Sequence, residues 1–417
     1  MTPQIKQRIE QIRRGEVPEG YKKTKAGVIP SEWELHPLSK HLTESRIPGT
    51  NGAVAKKLTV KLWNKGVFEK REVHEGSEST TYYKRKAGQL IYSKLDFLNC
   101  AFGIIPDHLN DYESTQDLPC FDINDVDPYY LLTYATQRNF YTHFGMIADG
   151  GRKARRVGPE DMLSFPLIYP SLPEQEKIAK ILSAQDKLIA LKEKLIEEKK
   201  RQKKYLMQQL LTGKKRLPGF SGEWVNLRLK QIAERITRKN KIGNGNVLTI
   251  SAQYGLINQS DFFDKEIASE DKSGYYLLLR DEFAYNKSYS TNYPFGAIKR
   301  LTKYDMGIVS PLYICFRFIG NDAQKEYMDH YFEAGLMNQE IQAFAQEGAR
   351  NHGLLNIAVD DFFNSKITLP PYDEQVEIAR VLSAIAKEID LLQQSLDQEK
   401  QKKNALMQLL LTGIVRV

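Results

Sequence analysis

The side chains that could do chemistry are scattered, and their spacing argues against most kinds of catalysis. Asn292-Tyr293-Pro294-Phe295 sets an amide, a prolyl carbonyl and an aromatic ring in a row, groups that can hold an exocyclic amino group and stack on a base swung out of a duplex. Tyr293, however, stands where base-methylating enzymes carry a first proline, and Gly243-Asn244-Gly245-Asn246 precedes the apolar run Val247–Ser251 instead of following a strand. No G-x-x-x-x-G-K-[ST] segment offers a phosphate cradle for nucleotide hydrolysis. His36, His41, His74, His108, His143, His330 and His352 form no i, i+4 pair or H-E-x-x-H helix, so no metal site is expected. Asp360-Asp361 lacks the D/E-x-K partner of a nuclease. Cys100, Cys120 and Cys315 are odd in number and unpaired by C-x-x-C spacing, which predicts small buried hydrophobes and neither a disulfide nor a zinc thiolate. No catalytic residue is expected on this chain.

The elements that would carry a different chemistry come from length and repetition. The chain has 417 residues, 41% of them hydrophobic, enough for two or three cores. No run approaches the roughly 18 to 20 uncharged apolar residues of a membrane span, and the N-terminus has no signal-peptide core; a cytoplasmic protein without a membrane partner is expected. The net charge of +8 suggests a polyanionic partner without establishing one.

"YPSLPEQEKIAKILSAQDKL" from Tyr169 returns as "LPPYDEQVEIARVLSAIAKEI" from Leu369, with Glu174/Glu374, Gln175/Gln375, Ile178/Ile378 and Leu182/Leu382 at one offset of 200, and "LMQQLLTG" from Leu206 returns in register as "LMQLLLTG" from Leu406. A rigid helix demands such constancy. Upstream the offset drifts, as in loop-bearing domains: Trp33 matches Trp224, "YYKRKAGQLIYSK" from Tyr82 matches "YYLLLRDEFAYNK" from Tyr275, and Phe102-Gly103 matches Phe295-Gly296. The plan is variable domain, long helix, variable domain, long helix: an internal duplication.

Acidic first turns and Gly213 and Gly413 as stops predict helices of about 40 residues, each roughly 60 Å long. Ile378, Leu382, Ile385, Ile389, Leu392, Leu396, Glu399, Lys403, Leu406 and Leu410 alternate 4 and 3 apart, the seam of a coiled coil. The first copy keeps Ile178, Leu182, Ile189, Ile196, Leu206 and Leu210 but puts Gln185, Lys192, Lys199 and Lys203 on the same line. A second line through Ile181, Ala184, Leu188, Leu191 and Leu195 is expected to widen its apolar face. Spacing alone leaves the relative direction of the two helices open. A short amphipathic helix at Ile5, Ile9 and Ile12 could pack near the end of the second long one. The bland alternative is a non-catalytic coiled-coil scaffold without DNA specificity.

Two divergent domains, each followed by a helix beginning E-Q-x-x-I-A-[KR]-[IV]-L-S-A and ending L-M-Q-x-L-L-T-G, resemble the specificity (S) subunit of type I restriction-modification systems over essentially the whole chain. The resemblance implies an α+β protein with two tandem α/β target recognition domains, separated by two long helices in an antiparallel coiled coil, with a pseudo-two-fold, cyclic arrangement. It divides the chain into a lead-in (1–20), a first recognition domain (21–170), a central helix (171–213), a second recognition domain (214–370) and a C-terminal helix (371–417). It further implies a bipartite target in double-stranded DNA and a ruler that docks two methyltransferase (M) subunits and, through them, restriction (R) subunits. S-adenosylmethionine, ATP and magnesium would be bound by those partners and none by this chain.

Base reading needs Arg, Lys, Asn, Gln, Ser and Thr on loops held by a rigid scaffold. "DGGRKARR" from Asp149 and "EGARNHG" from Glu347 precede the strand into each long helix at similar distance, which selects Arg152, Lys153, Arg155, Arg156, Arg350 and Asn351. Lys94 and Lys287 follow matched tyrosines, and Ser288, Ser290 and Asn292 come after the second. "GIVSPLYICFRF" and "GQLIYSKLDFL" read as strands of a twisted, mostly antiparallel sheet.

Overall fold

The computed structural model describes residues 2–71, 77–146, 156–251, 254–261, 272–288, 293–347 and 355–417. They fall into two compact units, one drawn from Met1–Glu193 and Ser395–Val417, the other from Lys194–Gln394. The division lies inside both long helices, Leu172–Leu210 and Tyr372–Leu411. Each unit therefore owns the start of one long helix and the end of the other.

Both helices stop for the same reason. Gly213 and Gly413 adopt φ of 68° and 69°, the left-handed conformation that ends a helix at little steric cost only for glycine. A Cβ on Gly413 would lie 2.5 Å from Pro30, and one on Gly213 would lie 3.3 Å from the Trp224 ring, so close packing adds a second reason.

The 4–3 seam is the buried line. Ile178, Leu182, Ile196, Leu210, Ile378, Leu382, Ile385, Leu396 and Leu410 are buried, and Ile189, Leu206, Ile389, Leu392 and Leu406 are half-buried. In the first unit the start of the first long helix runs antiparallel to the end of the second: Gln185 donates to Glu399 at 2.7 Å, Lys192 donates to Ser395 at 2.6 Å, and Asp186 pairs with Lys403 at 2.5 Å. In the second unit Lys199 pairs with Glu388 at 2.7 Å. Polar residues on the first copy's seam thus meet polar partners on the other helix, which fixes register. The second apolar line does not widen the buried face. Ala184 is exposed, and Ile181, Leu188, Leu191 and Leu195 are 37%, 37%, 65% and 40% exposed, because one antiparallel neighbour covers only the seam.

Each unit carries a four-stranded antiparallel sheet of the same order. In the first it is Phe102–Ile104, Leu90–Tyr92, Cys120–Ile123, Leu42–Ser45; in the second, Ala297–Arg300, Phe283–Asn286, Ile314–Phe318, Ala233–Arg235. The mostly antiparallel strand pairing expected from sequence is distributed over several small sheets. "GIVSPLYICFRF" breaks at Ser310–Tyr313: Met306–Val309 pairs with Tyr276–Leu279, and Ile314–Phe318 joins the larger sheet. Pro311 sits at the break, where a missing N–H costs no ladder bond.

One core joins Trp33, Phe102 and Tyr130 to Ile178, Leu182, Leu410 and Leu411. The other joins Phe283, Phe316 and Tyr327 to Met207, Leu210, Ile378 and Leu382. Burial of each such side chain contributes about 1.5–3 kcal/mol, so the helix ends are part of the domain cores.

Candidate nucleic-acid interface and helix-end clamp

The central strands Leu90–Tyr92 and Phe283–Asn286 carry buried tyrosines, Tyr92 and Tyr285, at or next to their ends, and the chain then reaches Lys94 or Lys287. In the first unit the Lys94 carbonyl accepts from the Val157 N–H at 3.2 Å; in the second the Lys287 carbonyl accepts from the Leu355 N–H at 3.0 Å. Each lysine is therefore bonded to the segment that follows one of the two candidate basic loops. Arg152, Lys153, Arg155, Ser290, Asn292, Arg350 and Asn351 lie outside the described residues.

Arg156 is exposed, with Nε 3.9 Å from the Asp117 carboxylate, and the Asp117 carbonyl accepts from the Lys94 N–H at 3.0 Å. Lys94 and Arg156 are thus brought together. In the second unit Lys287 is half-buried, and burial pushes its amine down from the ordinary lysine value. An ammonium stripped of water gains most from a nearby anion. Ser288 is exposed, its N–H bonded to the Asn286 side chain at 3.1 Å.

The other candidate chemistries resolve into structure. The Tyr293 hydroxyl donates to Glu333 at 2.8 Å. All three cysteines are buried and free, and burial pushes Cys100 up to about 11. Asp360 and Asp361 occupy the first turn of the helix Val359–Asn364, where the helix dipole favours them. Among the described residues no group of three or more His, Cys, Asp or Glu could hold a metal.

The repeated E-Q pair has a role that spacing did not reveal. Glu174 is buried; Arg416, just past the second long helix, grips it through Nε at 2.5 Å and Nη2 at 2.9 Å. Glu374 is fully buried and gripped by Arg216, just past the first long helix, at 2.6 and 2.5 Å. Each guanidinium also lies over a tryptophan, Arg416 over Trp33 at 5.5 Å and Arg216 over Trp224 at 5.8 Å. Gln175 and Gln375 accept from the N–H of Asp127 and Gln324 at 3.0 and 2.9 Å, and both donate to the proline carbonyl five residues back. So Glu ties one long helix's start to the end of the other, and Gln ties it to the short helices Pro128–Ala135 and Lys325–Glu333. The N-terminal helix Pro3–Arg13 joins the first clamp: Arg8 donates to the Ile414 carbonyl, and Tyr21 to that of Gly413 at 2.7 Å. Ile5, Ile9 and Ile12 on that helix are half-buried.

This frame defines a class: a duplicated α+β binding protein that sets basic side chains at equivalent places in its two halves. Residues 116–201 and 221–401 match the family described as type I restriction modification DNA specificity domain. A protein of Methanocaldococcus jannaschii named as the MjaX type I restriction enzyme specificity subunit is 25% identical over 440 residues, covering 96% of this chain and 97% of that one. Two solved structures share the fold. One is the S subunit of a type I restriction-modification system from M. genitalium (TM-score 0.53, 10% identity, 91% of this chain and 96% of that one). The other comes from work on assembly of a type I system (TM-score 0.52, 16% identity, 93% and 99%). The chain belongs to the type I restriction-modification DNA specificity family. Its role is that of the DNA specificity subunit, a non-catalytic component that works with DNA and other subunits of the system. No described helix is long and apolar enough to cross a membrane.

Proposed function

We propose that residues 21–170 and 214–370 are two target recognition domains, each reading one half of a bipartite, asymmetric site in double-stranded DNA. Lys94, Arg152, Lys153, Arg155 and Arg156 would contact one half-site, and Lys287, Ser288, Ser290, Asn292, Arg350 and Asn351 the other. Cations there would supply salt-dependent phosphate contacts, and amide and guanidinium groups donors and acceptors for base edges. The observation that carries this reading is the matched junction, in which a lysine after each central strand is bonded to the segment following a basic loop.

The two long helices set the spacer and dock two methyltransferase subunits, which methylate adenine N6 in each half-site and bring in the restriction subunits. S-adenosylmethionine, ATP and magnesium belong to those partners. The exposed line Ile181, Leu188 and Leu191 supports docking, since an apolar stripe beside a filled seam is of the kind partner subunits cover.

Inserting one heptad at Glu193/Lys194 and another at Gln394/Ser395 keeps the 4–3 seam and adds about 10 Å to each helix. Methylation mapping of cells expressing this chain with its methyltransferase should then show both half-sites unchanged and the spacer longer by about 3 base pairs. An unchanged spacer, or an altered half-site, rules out the ruler.

A further inference from the structure

The two halves place one equivalent turn beside their central strands and differ at its tip. In the first unit Glu113–Ser114 pairs with Thr81–Lys84, and the chain turns through Thr115–Leu118 before Cys120 pairs with Ile91. In the second, Met306–Val309 pairs with Tyr276–Leu279, and the chain turns through Ser310–Tyr313 before Cys315 pairs with Ala284. The turns close alike. The Leu118 N–H bonds to the Thr115 carbonyl and the Tyr313 N–H to that of Ser310, each at 3.1 Å. The Thr115 hydroxyl accepts from Asp117 N–H at 3.4 Å, and the Ser310 hydroxyl from Leu312 N–H at 3.3 Å. The tips are Gln116-Asp117 and Pro311-Leu312. Gln116 is exposed, and Leu312 is 63% exposed.

The support beneath the turns differs too. Arg85 is 2% exposed and donates only to neutral acceptors: Ser114 Oγ and the Ser45 carbonyl at 2.8 Å, the Leu118 carbonyl at 3.1 Å and the Thr115 carbonyl at 3.4 Å. A buried cation without a carboxylate is costly, and an apolar side chain of similar size serves stability as well or better. In the repeat that place holds Leu278, fully buried in one cluster with Tyr313 packed against it. Arg85 therefore holds one geometry of the turn, bonding both of its ends, Thr115 and Leu118, and Ser114 just before it. The turn opens toward cations: Gln116, Lys94 and Arg46 line one small cavity, and Arg156 pairs with Asp117.

We propose that this turn is a base-reading element in both halves, with Gln116 addressing a purine edge, Leu312 a thymine methyl, and Arg85 acting as the positioning residue of the first. A glutamine amide can bond adenine N6 and N7 together, and an apolar side chain discriminates through the thymine methyl. The inference rests on the recognition-domain reading above, and it assigns discrimination to positions where the halves differ in chemistry while sharing a backbone.

The test is a map of methylated sites in cells expressing this chain with its methyltransferase subunit. The unaltered chain must yield a bipartite target; if it does not, the recognition-domain reading fails and not the turn alone. Given that target, Gln116→Ala should lower discrimination about tenfold or more at one base pair of one component and leave the other untouched. Leu312→Ala should do the same in the other component. Arg85→Met should blur the base pair that Gln116→Ala blurs, and Arg85→Lys should blur it less. Should Arg85→Met abolish methylation by unfolding the domain, Gln116→Ala still decides, since that side chain is exposed. An unchanged target with Gln116→Ala, or equal weakening at every position, overturns the proposal.

Discussion

In the first unit the Trp33 indole donates to Glu174 at 2.9 Å, and the Tyr130 hydroxyl donates to the Ile168 carbonyl at 2.8 Å. In the second, the matching Trp224 indole and Tyr327 hydroxyl are buried without a partner. They belong to a set with Gln259 Oε1 and Arg300 Nε, the described buried side-chain atoms that make no hydrogen bond, and all four are in the second unit, although Arg300 Nε lies 3.5 Å from the Asp329 carboxylate. Both units keep the residue types that the clamp and short helix require, but only the first keeps all their acceptors. The charged Arg–Glu grip and the apolar core were therefore enough to hold the second copy while its surroundings diverged. An unsatisfied buried donor costs about 1–3 kcal/mol, so the second unit is the place where stability is expected to give first.

The largest difference between the units should appear in acid. The helix Lys325–Glu333 carries Asp329, His330 and Glu333 where its counterpart Pro128–Ala135 and the residue after it carry Leu132, Thr133 and Thr136. Burial, reinforced by Lys203 and Arg300, holds His330 down at about 4, with Nε2 3.0 Å from the Ser383 hydroxyl. A base whose folded value lies below its unfolded one stays neutral in the fold, so stability is full above about pH 6.5 and falls as the pH drops toward 4. The half-buried ring implies a loss on the order of 2–3 kcal/mol over that window. Asp329, pushed up by burial, opposes it, because the fold then holds a proton more firmly than the unfolded chain. Hydrogen exchange between pH 7 and 4 should show the second unit loosening first, and His330→Asn should flatten the trend. Equal loosening of both units would remove this distinction.

A smaller contrast lies at the tryptophans. Trp33→Phe removes a bond to a buried carboxylate and should cost about 2 kcal/mol. Trp224→Phe removes an indole N–H that bonds to nothing and should change stability by less than about 1 kcal/mol, most of it weaker stacking of Arg216. Local hydrogen-exchange protection at the starts of the two long helices measures both. Equal costs would mean that Trp224 has an acceptor after all.

How far these features were legible depends on whether they are local. The 4–3 seam from Ile378 to Leu410 and the stops at Gly213 and Gly413 are set by helix periodicity, and they appear where spacing places them. The clamp was half visible: the offset of 200 runs on to pair Arg216 with Arg416, yet no spacing says that Arg416 closes on Glu174. The line from Ile181 to Leu195 is apolar as its spacing says, yet it stays largely exposed, because a helix face is buried only if a neighbour covers it. The sheets split at Ser310–Tyr313 through turn chemistry inside an apolar run. Repetition singles out Lys94 and Lys287 as candidates but passes over the proposed readers Gln116 and Leu312, since the repeat hides the positions at which the halves differ.

The finest contrast concerns one oxygen. Tyr130 and Tyr327 are equivalent: the Tyr130 N–H is capped by the Asp127 side chain and the Tyr327 N–H by that of Gln324, and both rings are fully buried. Only Tyr130 uses its hydroxyl. Tyr130→Phe should therefore cost about 1 kcal/mol, the net worth of a neutral hydrogen bond, while Tyr327→Phe should be neutral or slightly stabilising because it removes a desolvated group that gains nothing. The two variants differ from wild type by the same atom at the same place in a repeated fold, so unfolding midpoints compared under one set of conditions isolate the acceptor from the ring. A cost for Tyr327→Phe equal to that for Tyr130→Phe would show that the second copy had found its own partner and that the units are matched in completeness as well as in plan.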